Sequence, residues 1–178
     1  QDLLNLLPDD SRLIKHSPKY LNYPIFIQLF WQFFVLPREA KKVGISILLN
    51  TSAGSICPFY PSVTMSRDML SYEKGEIDRY PWGRARIRLI ILKFIQNYSL
   101  RNSKGAIFLT KYASDVIQEY TGKIKKFRII PHGISSNFRT KRNLMNWEYS
   151  PGFQVRCIYV SNVDFYKHQW NVVQAISR

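Results

Sequence analysis

Phe127-Arg-Ile-Ile-Pro-His-Gly-Ile-Ser-Ser-Asn-Phe138 is followed, after a polar stretch, by Phe153-Gln-Val-Arg-Cys-Ile-Tyr-Val160. In the first, a short apolar run enters a Pro-X-Gly turn and a polar loop. In the second, another apolar run opens onto the loop Ser161-Asn-Val-Asp-Phe-Tyr-Lys-His168 and an amphipathic pattern holding Trp170, Val172, Val173 and Ile176. Strand, turn, strand, loop, helix reads as the seam between two α/β units. Residues 1–138 are expected to form the first unit, 139–152 a linker or hinge, and 153–178 the start of the second.

Upstream of the seam, short apolar runs alternate with helical patterns. A helix is expected from Pro24, kinked or restarted at Pro37 and stopped at Gly44. Strands are expected at Ile45–Leu49, Ser62–Ser66, Ala106–Leu109 and Phe127–Ile130. Helices are expected at Arg84–Lys104 and Lys111–Tyr120, with Gly105 and Gly122 as stops. Tyr72–Gly83 reads as an exposed loop. This alternation predicts an α/β fold with a parallel, doubly wound Rossmann-like sheet. Ligands of such sheets bind at the carboxyl ends of the strands. The loops expected there are Asn50–Ser55, Ser66–Leu70, Thr110–Ala113, Pro131–Ser136 and Ser161–His168.

Apolar residues make up 46% of the 178, enough to exclude a disordered tail and to build a core. Gln1 opens the sequence and a helical pattern runs to its end, so an internal piece of a longer protein is expected, inactive by itself. Cys57 and Cys157 stand far apart in unlike contexts, which points to a reducing cytoplasm rather than a disulfide framework. The longest apolar run, Ile25 to Leu36, carries Gln28 and Gln32 and is too short to span a bilayer.

A net charge of +14 calls for an anionic partner. From Arg79 to Ser114 the ionisable side chains are all basic apart from the tyrosines, among them Arg84, Arg86, Arg88, Lys93, Arg101 and Lys104. On the expected 84–104 helix, Ile87, Ile90, Ile91, Phe94, Ile95 and Tyr98 form one stripe, assigned to the core. Arg86, Lys93 and Lys104 fall roughly opposite. A basic face of this kind suits an anionic membrane surface. Nucleic acid is not expected, because the aromatics lie in core-like stripes rather than among the cations.

Several clusters bear on chemistry. Ser161, Asn162, Lys167 and His168 sit between a strand and a helix, where backbone N–H groups and a lysine suit phosphate oxygens. Arg67 and Asp68 end an expected strand, where one would meet an anion and the other accept a hydroxyl hydrogen bond. His132 and Gly133 form the Pro131 turn, in which Gly133 can take positive φ. The plain alternatives are a solvated lysine, a helix cap and a connector. The three histidines and two cysteines have no metal-ligand spacing, so no metal is assigned. No P-loop, G-x-G-x-x-G, G-x-S-x-G or H-E-x-x-H occurs, which argues against NTPase, hydrolase and zinc-protease chemistry.

Taken together, Gly44 to Arg178 resembles the group 1 glycosyltransferases (GT4 family, GT-B fold). That family carries strand-Pro-Asn-Gly-Val/Ile-Asp-x-x-x-Phe at the end of its N-terminal domain. Here the segment is Ile129-Ile-Pro-His-Gly-Ile-Ser-Ser-Asn-Phe138, with His132 for Asn and Ser135 for Asp. Ala106-Ile-Phe-Leu-Thr-Lys-Tyr-Ala113 resembles its strand-Ser segment, with Thr110 for the serine. Tyr159 to Trp170 resembles its strand-Gly-Arg-loop-Lys-Gly-helix segment: Lys167 falls on the lysine that contacts donor diphosphate, Asn162 replaces the arginine and His168 the glycine. Arg67-Asp68 occupies the place of the family's His-Asp near the acceptor.

The resemblance implies sugar transfer from a nucleotide-sugar donor (UDP- or GDP-sugar) to a glycan or lipid-linked acceptor, retaining and without a required metal. Arg67 and Asp68 would then be catalytic, facing the acceptor. Lys167, Ser161, Asn162 and His168 would hold the donor phosphates, and His132 and Gly133 would line the cleft. No further cofactor is implied. The expected location is the cytoplasm, peripheral on the inner membrane face. Rival readings are a basic non-enzymatic module for membrane or nucleic acid, and another GT-B enzyme such as a nucleotide-sugar epimerase.

Overall fold

The structure is a computed structural model that describes residues 8–136 and 157–177. The expected linker 139–152 and residues 153–156 lie outside the described residues.

The chain opens with α1 (Ile25–Phe30), a π-helical stretch (Trp31–Val35) and α2 (Leu36–Lys42). The expected interruption near Pro37 is absorbed without a break. Pro37 has no N–H to donate to the preceding turn, and the widened π-turns before it take up that mismatch. Gly44 stops α2 as expected, at φ +70. Its N–H reaches the Lys41 carbonyl and the Ile45 N–H reaches that of Ala40, at 3.1 and 3.0 Å, the paired closure that needs a left-handed residue.

Four short strands follow: β1 (Leu48–Asn50), β2 (Ser62–Ser66), β3 (Gly105–Phe108) and β4 (Phe127–Ile129). All neighbours are parallel and the spatial order is the chain order. The register sets Asn50 beside Thr64, Ser66 beside Phe108, and Phe108 beside Ile129. Helix α3 (Arg84–Asn102) connects β2 to β3, and α4 (Lys111–Thr121) connects β3 to β4. After the undescribed stretch come a 3-10 turn at Phe165–Lys167 and α5 (Gln169–Ile176). This is an α/β protein with a four-stranded parallel sheet and flanking helices, compatible with a Rossmann-like fold.

Parallel strands in sequential order, joined by crossovers of one hand, place both connecting helices on the same face. The contacts agree. Leu100 of α3 and Ala113 and Ile117 of α4 share a core with Ala106 and Phe108 of β3. The expected double winding is therefore not present among the described residues. On the opposite face Leu49 is 53% exposed, and Val63, Met65 and Ile107 are only half-buried.

The stripe assigned to the core on α3 is a second correction. The buried residues of α3 are Leu89, Gln96, Ser99 and Leu100. Ile87, Ile91, Phe94 and Tyr98 instead face solvent, at 49%, 52%, 71% and 42% exposure. The reason lies in β2, which buries Ser62, Thr64 and Ser66 beneath the helix. Buried hydroxyls require partners. Ser99 on α3 supplies one, its Oγ lying 3.4 Å from Thr64 Oγ1, and Gln96 accepts a 2.6 Å bond from the Ser71 hydroxyl. A polar strand face has selected the polar side of the helix.

Two further expectations fail. Tyr72–Gly83 is not an exposed loop: Tyr72 and Tyr80 are buried, and Ile77–Arg79 forms a 3-10 turn. Cys157–Val160, expected as the end of the strand Phe153–Val160, is exposed and pairs with no strand among the described residues. The Tyr159 hydroxyl donates to the Lys167 carbonyl at 2.8 Å.

Candidate functional site

The loops after β2 and β3 lie at the carboxyl end of the sheet. Thr110, two residues after β3, caps α4: its Oγ1 accepts from the Ala113 N–H at 3.0 Å. A serine or threonine is required there by the cap rather than by chemistry. Asp68 has a local task too, since its Oδ1 accepts from the Leu70 N–H at 2.9 Å, which turns the chain out of β2. Arg67 beside it is exposed, and no described residue pairs with it. His132 and Gly133 are exposed as well. Gly133 is not at positive φ, and no described heavy atom would crowd a Cβ placed there.

The loop Ser161–His168 is held in place by its own side chains and by the loop after β2. Asp164 Oδ1 accepts from the Phe165 N–H at 2.7 Å and from the Tyr80 hydroxyl at 2.7 Å. The Phe165 ring meets Tyr80 edge-on with centroids 5.5 Å apart, and Trp170 at 6.3 Å. His168 Nε2 lies 3.6 Å from Glu76 Oε1, which also pairs with Arg79 Nε at 3.0 Å. Gln169 Nε2 donates to the Asn162 carbonyl at 2.8 Å, and the Ser161 hydroxyl to the same oxygen at 3.2 Å. These bonds close the loop on itself and fasten it to residues 76–80.

Within that loop, Lys167 Nζ rests 4.6 Å from the Tyr166 ring centroid and pairs with no described carboxylate. His168 takes φ 53 and ψ 32, a left-handed conformation, between the 3-10 turn and α5. Glycine adopts it without cost, and histidine is among the side chains that tolerate it better than most. The departure at position 168 is thus sterically accommodated.

Of the residues expected to act, the structure brings Ser161, Asn162, Lys167 and His168 into one loop. Among the described residues, no hydrogen bond or ion pair links Arg67 or Asp68 to that loop or to His132 and Gly133. Sequence reasoning missed Glu76 and Tyr80, and counted Arg86 on a basic face open to an anionic membrane. Arg86 pairs with Asp78 and stacks over Trp82 at 4.4 Å. Glu76 Oε2 and Arg86 Nε are buried without partners. An acid and aromatics crowded between Glu73 and Trp82 were the available signal.

Burial, reinforced by the hydrogen bond to Asp164, pushes the Tyr80 phenol up to about 12. At neutral pH it is a donor only toward the carboxylate. Burial also lowers the Lys93 ammonium, which sits 3.4 Å from the Tyr120 ring centroid.

A concavity of about 840 Å³ lies elsewhere. Val63, Ile107, Lys125, Phe127, Arg128 and Ile130 line it along β4, so it is the open edge of the sheet rather than a pocket at the strand ends. Among the described residues no group of His, Cys, Asp or Glu could hold a metal ion, and no helix is long and apolar enough to cross a membrane. No family model, no curated protein and no solved structure matches the chain.

Proposed function

We propose that this chain is the acceptor-side unit and donor-loop start of a GT-B glycosyltransferase. It would transfer a sugar from a nucleotide-sugar to a glycan or lipid-linked acceptor. The observation that carries this reading is the docking of the Lys167 loop onto residues 76–80, which belong to the connection leaving the carboxyl end of β2. That is the side on which parallel α/β sheets take ligands.

In this reading Lys167 meets the leaving diphosphate, and backbone N–H groups near the start of α5 add their dipoles. Departure of the nucleotide diphosphate leaves negative charge on its oxygens, and cations already in place lower that barrier without reorganisation. The left-handed turn at His168 aims the chain into α5. Arg67, exposed beside the Asp68 turn, is the residue available to an acceptor oxyanion or phosphate. Asp68 orients that turn and would accept an acceptor hydroxyl hydrogen bond. His132 and Gly133 would border the cleft from the loop after β4. Closure of the two units would exclude water, which otherwise competes as acceptor.

The test is titration of the chain with UDP and with GDP, followed through backbone amide shifts. Shifts confined to residues 161–168 and lost in Lys167→Ala support the assignment. Shifts that Lys167→Ala leaves unchanged refute it.

A further inference from the structure

We propose that the outward face of α3 is a docking surface for an anionic lipid bilayer. Ile87, Ile91, Phe94 and Tyr98 follow the i, i+4, i+7, i+11 spacing, which sets them in one line along a helix. All four face solvent, Phe94 at 71% exposure. Trp82, one residue before the helix N-cap, is 77% exposed. A line of large apolar side chains on that scale marks an interaction surface.

The charges around the line decide what covers it. Arg84 and Arg88 lie one turn apart on its flank, both exposed and paired with no described carboxylate. No acid occurs within α3. The nearest upstream acids are already engaged, Glu76 by Arg79 and Asp78 by Arg86. Arg101 is engaged by the end of α4, donating to the Thr121 and Tyr120 carbonyls at 2.7 and 2.9 Å. Within α3 the charges left unpaired beside the apolar strip are therefore cationic. An interfacial helix has this composition: apolar side chains enter the acyl boundary, arginines meet lipid phosphates, and tryptophan sits at headgroup level. A second copy of the same face would set arginine against arginine. Nucleic acid would leave Ile91 and Phe94 unsatisfied.

Orientation adds a consequence. Helix α3 follows the loop that leaves the carboxyl end of β2, so Trp82 and Arg84 stand at the same end of the sheet as Arg67 and Asp68. Docking through α3 would bring that end within reach of a lipid-linked molecule. The lipid surface itself rests on no part of the donor-loop assignment.

The test is co-sedimentation of the 178-residue chain with vesicles of phosphatidylcholine, with and without phosphatidylglycerol. Binding is expected only to the anionic vesicles and should weaken on raising salt. The pair Arg84→Gln and Arg88→Gln should lower affinity on the order of tenfold or more. Ile91→Ser with Phe94→Ser should do the same, while thermal melting stays unchanged because all four side chains are exposed. The proposal is overturned if anionic vesicles do not bind the chain, or if both pairs leave binding intact. It is also overturned if Ile91→Ser with Phe94→Ser dissolves a dimer without touching vesicle binding, or if single-stranded RNA binds as tightly as the vesicles and both pairs are silent. Nucleotide-induced shifts in residues 161–168 are read separately, so failure here leaves the donor-loop assignment standing.

Discussion

The Tyr80 hydroxyl donates a 2.7 Å hydrogen bond to Oδ1 of Asp164, joining residues far apart in the chain. This bond, with the edge-on packing of Phe165 against Tyr80, fastens the Lys167 loop to the connection after β2. Removing the hydroxyl with Tyr80→Phe keeps the ring contact and deletes only the bond. Hydrogen bonds to charged groups contribute about 1.5–3 kcal/mol, and the partial exposure of this one places it near the lower end. Hydrogen exchange should quicken in residues 164–176 of Tyr80→Phe while β2 and β3 stay protected. Uniform change across the sheet would show that the bond is not a local fastening.

The same hydroxyl sets an alkaline limit. Its pKa in the folded chain, about 12, exceeds the ordinary phenol value of about 10 because of burial and the Asp164 bond. A pKa raised by folding contributes stability in full below the unfolded value, and that stability is lost as pH rises through the folded one. The melting temperature should therefore fall between about pH 10 and about pH 12. Burial also raises Tyr72, so part of the fall should remain in Tyr80→Phe. Superimposable melting curves for the two proteins across this range would rule out the linkage.

Phe94 on the outward side of α3 and Phe108 of β3 beneath it mark surface and core. Phe108 is fully buried in the core with Leu100 and Ile117, so Phe108→Ala should cost about 3–5 kcal/mol in urea unfolding. Phe94→Ser should fall within about 0.5 kcal/mol of wild type. A large loss at Phe94 would mean that the outward stripe is packed after all.

Much of the fold was legible in the sequence, and the misses share a cause. β2 was bounded correctly and α4 nearly so, because Thr110 and Gly122 are local signals: a cap at one end and a φ +74 stop at the other. Gly44 worked in the same way. The orientation of α3 was not legible, since hydrophobicity alone favours burying Ile87, Ile91 and Phe94. The opposite side won because the buried Thr64 and Ser71 hydroxyls meet Ser99 and Gln96 of α3, partners that lie in another element. Tyr80 escaped notice for a similar reason: its partner, Asp164, is remote in sequence. Ser161 to His168 was readable as a loop before a helix, but its closure by Gln169 and its attachment through Asp164 and His168 were not.

Position 168 offers a test of backbone strain. His168→Gly and His168→Ala both lose the contact with Glu76, but only glycine takes φ 53 freely. His168→Gly should be the more stable of the two by about 1 kcal/mol, measured as protection of the 161–176 segment. Equal protection would indicate that the left-handed turn is not required to start α5.

The most direct test of the donor-loop assignment is amide-shift titration of the chain with UDP and GDP, compared with Lys167→Ala. The account predicts saturable shifts at residues 161–168 that disappear in the variant while the rest of the spectrum is unchanged. Nucleotide-induced shifts elsewhere in the chain, or shifts at residues 161–168 that persist undiminished in Lys167→Ala, would contradict it.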